Sequence, residues 1–158
     1  MRFKAMTLHL LGIILLSSCW IHAPIEENMS LRKQAVETAR DYFNALENGH
    51  IDRVIEQSIF PYWLDGDPVD AEELKKELEE ESHELSRWKL IKARFYTRED
   101  IEIFAPRMLK QASNQEFSPE YFVVLQFTDK NNPNREAEGV LFFMVYQKGH
   151  WKIQGLED

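Results

Sequence analysis

Seven consecutive residues, Val140-Leu141-Phe142-Phe143-Met144-Val145-Tyr146, are apolar without interruption and lie inside a strand running from Ala137 to Gln147. Side chains of a strand alternate between two faces, and a sheet with one face in water shows polar residues at every second position. Here there are none, so both faces of this strand must be shielded. Two coverings fit: a second protomer docks on the outer face, or the segment from Thr97 to Asn114 folds back over it.

The elements around that strand are read from period and punctuation. Ser30 is placed to cap a first helix whose inner stripe is Leu31, Ala35, Ala39, Tyr42, Phe43 and Leu46, ended by Asn48-Gly49. A short second helix spans about Ile51 to Gln57 with Ile51, Val54 and Ile55 inward. The aromatic run Ile59-Phe60-Pro61-Tyr62-Trp63-Leu64 breaks at the turn residues Asp65-Gly66-Asp67-Pro68. Asp70 with Glu73 forms a capping-box start for a helix to about Leu85, with Leu74, Leu78 and Leu85 inside. Residues 87–96 alternate in two sets, Trp88, Leu90, Lys92, Arg94, Tyr96 and Lys89, Ile91, Ala93, Phe95, and read as a strand. Thr97 and Asp100 cap a helical segment interrupted at Pro106 and ending near Asn114. Strands from Tyr121 to Thr128, Ala137 to Gln147 and His150 to Leu156 close the chain, the last two joined by Lys148-Gly149. Helices first and a meander last define an α+β class, with the helices laid on one side of a curved antiparallel sheet.

The formal charge is −8, and Arg2 and Lys4 account for two positive charges near the start, so the remainder carries −10. Such a surface repels phosphate backbones and anionic headgroups, which argues against nucleic acid as a partner and against membrane attachment by a basic patch. Negative charge is concentrated between Glu72 and Glu84, a pattern that reads as one solvated helix face. There is one cysteine, Cys19, so no disulfide forms within the chain and the fold stands on its core alone. No His-Glu-x-x-His or Cys-x-x-Cys spacing, Gly-rich phosphate loop or Gly-x-Ser-x-Gly elbow occurs, so neither a metal nor a cofactor is expected.

Cys19 ends the tetrapeptide Leu16-Ser17-Ser18-Cys19, after a basic start at Arg2 and Lys4 and a mostly apolar stretch from Ala5 to Leu16. That arrangement resembles a bacterial lipoprotein signal, which implies cleavage before Cys19 and lipid on its sulfur and amine. Residues 1–18 are then a signal peptide, 19–29 a tether and 30–158 the folded domain. Trp20 stands where many lipoproteins retained at the inner membrane carry aspartate. The resemblance therefore implies a cell-envelope protein, anchored by lipid in the outer membrane and facing the periplasm.

The order of elements also resembles a second family. A long helix with an Asn-Gly-His-Ile-Asp link, a short helix, an aromatic strand, a third helix, then strands closing on Gly149-His150-Trp151-Lys152-Ile153-Gln154-Gly155-Leu156 is similar to the nuclear transport factor 2-like (NTF2-like, SnoaL-like) cone. The segment Phe60-Pro61-Tyr62-Trp63-Leu64-Asp65-Gly66 is similar to exported bacterial members. The resemblance implies a sheet wrapped around the helices, a pocket at the open end of the cone and a homodimer through the sheet, which favours a second protomer as the outer covering. The superfamily includes isomerases and dehydratases as well as proteins that bind without catalysis, so the fold alone assigns no chemistry.

Tyr62, Trp63 and Asp65 are the first pocket candidates, because aromatic walls with one carboxylate suit a small apolar or cationic ligand. Arg94 and Tyr96, two residues apart on one strand face, would place a cation and a phenol at the cone mouth. His50 is the base nearest to neutral titration by type, although its position at the start of a surface link suits capping or exposure. The reading favoured by the sequence is a non-catalytic domain that binds a small hydrophobic ligand or an envelope protein. The alternative is an isomerase or dehydratase using Asp65 with Tyr96 or His50 as general acid and base.

Overall fold

Asn28, two residues before the expected cap, starts the first helix. Its Oδ1 accepts hydrogen bonds from the backbone N–H groups of Ser30 and Leu31, both at 3.1 Å, while the Ser30 hydroxyl accepts from the Gln34 side chain instead. The structure is a computed structural model that describes residues 28–112, 117–134 and 137–157; Cys19 and the segments expected to be signal peptide and tether lie outside the described residues. Helix α1 spans Met29–Glu47 and buries Ala35, Ala39, Tyr42, Phe43 and Leu46, a stripe at helical spacing. Gly49, at φ +70°, follows its C-cap Asn48, and α2 covers Ile51–Gln57.

Strand β1, Ser58–Leu64, turns at Asp65 and Gly66, both with positive φ, into the short antiparallel β2, Asp67–Val69. A two-residue loop of this kind joins two paired strands, so Asp67-Pro68 belongs to a strand and not to the expected turn. Helix α3, Ala71–Leu85, begins with the expected capping box: Asp70 Oδ1 accepts from the Glu73 N–H at 3.0 Å and Glu73 Oε2 from the Asp70 N–H at 3.1 Å. Strand β3 is Trp88–Thr97. A second capping box, Thr97 with Asp100, opens α4, Arg98–Phe104, and Pro106 takes the first position of α5, Pro106–Ala112. Strands β4 (Tyr121–Asp129), β5 (Glu138–Gln147) and β6 (His150–Glu157) complete the chain.

The six strands form one open, curved sheet in the order β2-β1-β6-β5-β4-β3. Four neighbouring pairs are antiparallel, but β1 runs parallel to β6, so the sheet is mixed and not wholly antiparallel. A parallel pair requires a crossover, and here residues 65–149, with every other strand and three of the helices, form it. Contact between the two strands is close at Gly155, which pairs with Trp63: a Cβ there would run into the Trp63 carbonyl oxygen and reach 2.5 Å from Cδ2 of Phe143.

The helices cover both faces, correcting the expectation of one. On the inner face, α1 to α3 pack on Tyr62, Val123, Leu125, Phe127, Phe142, Met144 and Ile153. On the outer face, Ile101 of α4, Leu109 of α5 and Phe117 pack on Trp63, Phe122, Leu141 and Phe143. The apolar run in β5 is thus shielded within the chain, by the second of the two coverings the sequence allowed. The outer face of these strands therefore gives no reason for the homodimer expected there. Arg98 secures this layer by donating to the Ser118 hydroxyl at 2.7 Å and the Pro119 carbonyl at 3.2 Å.

The alternation in β3 changes phase part way. Leu90 pairs with Phe127 and Lys92 with Gln126, leaving Ile91 as an extra, half-exposed residue. Trp88 and Leu90 face inward before the bulge, and Ala93 and Phe95 after it. Each of the two alternating sets therefore contributes half of the inner face.

Gly155→Ala is expected to lower the unfolding free energy by at least about 2 kcal/mol, because the new methyl meets backbone. Gly139→Ala is the control, since its Cβ would find only the Leu125 carbonyl at 3.8 Å. Urea denaturation of both variants checks this; equal midpoints would refute the packing argument.

Candidate functional site

The five residues expected to share a pocket are dispersed. Tyr62 and Trp63 are consecutive in a strand and so point to opposite faces, Tyr62 into the inner core and Trp63 into the outer one. Trp63 is stacked on Phe117 with ring centres 4.9 Å apart. Asp65 is exposed in the β1–β2 turn. Arg94, exposed, and Tyr96, half-buried against the outer cluster, lie on β3, at the other edge of the sheet. Three strands separate β1 from β3, so at about 4.8 Å per step the two groups are roughly 19 Å apart. His50 is exposed at the N-cap of α2 and makes no side-chain capping bond.

Tyr62 is a structural group. Its hydroxyl accepts from the Tyr42 hydroxyl at 3.0 Å; Tyr42 also lies 3.5 Å from Ser58 Oγ, which in turn donates to the Val54 carbonyl at 2.9 Å. Burial pushes the Tyr42 phenol up to about 12. Burial raises Tyr62 well above its ordinary value, and its neighbour Tyr42 adds to the rise.

A lined concavity occurs elsewhere, where the C-terminal part of α1 meets the end of α3 and the starts of β3 and β5. Phe43, Leu85, Trp88, Phe127 and Val140 wall a groove of about 500 Å³, and Glu138 and Gly139 complete its lining. The Phe43 and Phe127 rings sit 4.6 Å apart at 41°, and the Arg87 guanidinium lies 5.0 Å from the Trp88 ring centre.

The rim is braced by interlocked polar contacts. Arg87 pairs with Asp129 at 3.2 Å, and the other carboxylate oxygen of Asp129 accepts from the Asn131 N–H at 2.8 Å. Lys130 donates to the Ser86 carbonyl at 2.7 Å and pairs with Glu47 at 3.2 Å. These contacts join the end of α1, the α3–β3 link and the end of β4. The Asn131 N–H, and then the Arg87 charge, hold Asp129 below the usual carboxylate range against the opposing cost of burial.

Apolar walls with one carboxylate at the edge suit the retention of a small hydrophobic molecule. Leu85 is legible in the sequence as an inward helix residue and Trp88 as a strand residue, but their convergence with Val140 depends on the sheet order. Among the described residues, no group of three or more His, Cys, Asp and Glu side chains is placed to hold a metal ion, and no helix is long and apolar enough to cross a membrane. Neither the models of known protein families nor the curated proteins include a match to this chain.

Two measurements check these assignments. The unfolded chain ionises its tyrosines near pH 10, and Tyr42 and Tyr62 resist doing so when folded; their contribution to stability is thus complete below pH 10 and lost as pH rises through about 12 and beyond. In an alkaline absorbance titration, two of the five tyrosines should ionise only with loss of the fold; early ionisation of all five would contradict this. Asp129→Ala should increase proteolytic nicking at 130–134 while leaving the core intact by circular dichroism, and unchanged nicking would deny the brace its role.

Proposed function

We propose that this protein is an envelope lipoprotein, tethered through Cys19, whose NTF2-like domain holds a small hydrophobic molecule in the groove walled by Phe43, Leu85, Trp88, Phe127 and Val140. The lining of that groove carries the reading: five apolar side chains drawn from α1, α3, β3, β4 and β5, with Glu138 as the one titratable side chain among them. Binding needs an apolar enclosure and a polar group that fixes orientation, and both are present. Acid–base chemistry needs two titratable groups within reach of one substrate atom. Asp65, Tyr96 and His50 lie at separate places on the fold, so the isomerase or dehydratase reading lacks a converging set.

The cone reading is supported by the element order, by α1 to α3 packed on one face of an open curved sheet, and by a concavity between the ends of those helices and the sheet. The tether reading rests on Leu16-Ser17-Ser18-Cys19 and on the basic and apolar segments before it.

A neutral apolar dye such as N-phenylnaphthylamine should brighten saturably on binding, and Val140→Trp, which fills the groove, should weaken that binding at least about tenfold without shifting the urea midpoint. Equal affinity in the variant would remove the groove from the proposal. Mass spectrometry of protein from the native host should find a mature N-terminus at Cys19 carrying acyl chains; an intact leader with a free thiol would refute the tether.

A further inference from the structure

The end of the domain at which α1 begins differs in character from the acidic remainder. Met29 is 75% exposed. Beside it, Arg32, Lys33, Val36, Ala93, Arg94 and Phe95 line an open trough between the first two turns of α1 and the middle of β3. The Arg32 guanidinium lies 5.5 Å from the Phe95 ring centre. Lys92 and Arg94, both exposed, project from this edge strand on the side opposite Ala93 and Phe95. The trough lining contains three cations and no carboxylate, in a chain whose net charge is −8. Lys33 has Glu37 at 3.7 Å, with both side chains largely in water, a contact that leaves its charge available. Glu99, Asp100 and Glu120 border a neighbouring cleft that Arg32 shares, so the cationic side is the one turned toward Met29.

An exposed thioether among cations is the chemistry of a membrane interface, where apolar groups enter the acyl boundary and lysine and arginine meet phosphate. The place where the chain enters the domain points to the same surface. Nine peptide steps join Cys19 to Asn28, a reach of at most about 30 Å. Tethering at that range makes the encounter intramolecular, so an attraction too weak to bind free protein is sufficient.

We propose that this face docks on the anionic phospholipid surface of the membrane that holds the anchor. Met29 enters the interfacial layer, Arg32 and Lys33 meet the phosphates from the α1 side of the sheet edge, and Lys92 and Arg94 meet them from its other side. The inference rests on lipidation of Cys19. It orients the domain: Phe43 stands fourteen residues along α1 from Met29, about 21 Å at 1.5 Å per residue, so the groove opens at the end of the helix away from the bilayer.

The test uses the full lipidated chain on vesicles of phosphatidylethanolamine with phosphatidylglycerol, and on vesicles of phosphatidylcholine alone. Lysines are acetylated under each condition and read by mass spectrometry, with flotation of the chain recorded alongside. Modification of Lys33 and Lys92 should fall about three-fold or more on the anionic vesicles relative to the neutral ones, while Lys76 and Lys110 stay unchanged. The double variant Lys92→Glu/Arg94→Glu, altered at two exposed positions, should restore labelling of Lys33. A chain that floats with Lys33 and Lys92 equally labelled on both vesicles overturns the docking and leaves the tether standing. A chain that does not float overturns the tether and the docking with it. Protection that persists in detergent micelles assigns the face to a protein contact and also overturns the proposal.

Discussion

The parallel contact between β1 and β6 is the constraint on which the architecture depends. It requires a residue without a side chain at 155, where the Trp63 backbone occupies the space of a Cβ. Once that pair forms, the first strand hairpin is fixed beside the last strand, and β5 lies in the interior of the sheet. A strand in that position has neighbours on both edges and must be covered on both faces, which its uninterrupted apolar run satisfies. Layers from two parts of the chain follow: α1 to α3 on one side, and α4, α5 and Phe117 on the other.

Local features of this fold are legible in the residues because each is decided within a few positions. The two capping boxes, the helix end at Asn48-Gly49, the turns at Asp65-Gly66 and Lys148-Gly149, and the break at Pro106 are all signalled by residue type. The first cap is missed by two residues because Ser30 and Asn28 are both competent, and only the geometry shows which oxygen meets the orphan N–H groups. The parallel pair is illegible for a different reason: β1 and β6 are about ninety residues apart, and no local pattern states which strands will meet. The bulge at Ile91 conceals itself, since one inserted residue moves the inner face from one alternating set to the other.

The same physics separates the expected pocket from the observed one. Tyr62-Trp63 looks like a binding wall because aromatic residues line binding sites, yet consecutive strand residues cannot face one cavity. Both are consumed by packing, one in each core. The groove instead draws its lining from five elements, of which the sequence identifies only Phe43 and Leu85 as inward. Its rim is held by Asp129 and Lys130, residues that read in the sequence as part of a polar loop. Ion pairs of this exposure add little to global stability, so their contribution lies in fixing the ends of α1, α3 and β4 relative to one another beside the groove.

The cations on β3 answer to more than one requirement. β3 ends the sheet, and a long edge strand invites pairing with another chain; charged side chains and a bulge both discourage it. Lys89, Lys92 and the bulge at Ile91 satisfy that requirement by themselves. It does not extend to Met29 and Lys33, which stand on a helix and guard no edge. Edge protection in water would also place a polar residue at position 29, where the chain exposes a large apolar one. The combination is consistent where the edge strand and the start of α1 share one environment that accepts both a thioether and a row of cations, and a phospholipid surface is such an environment.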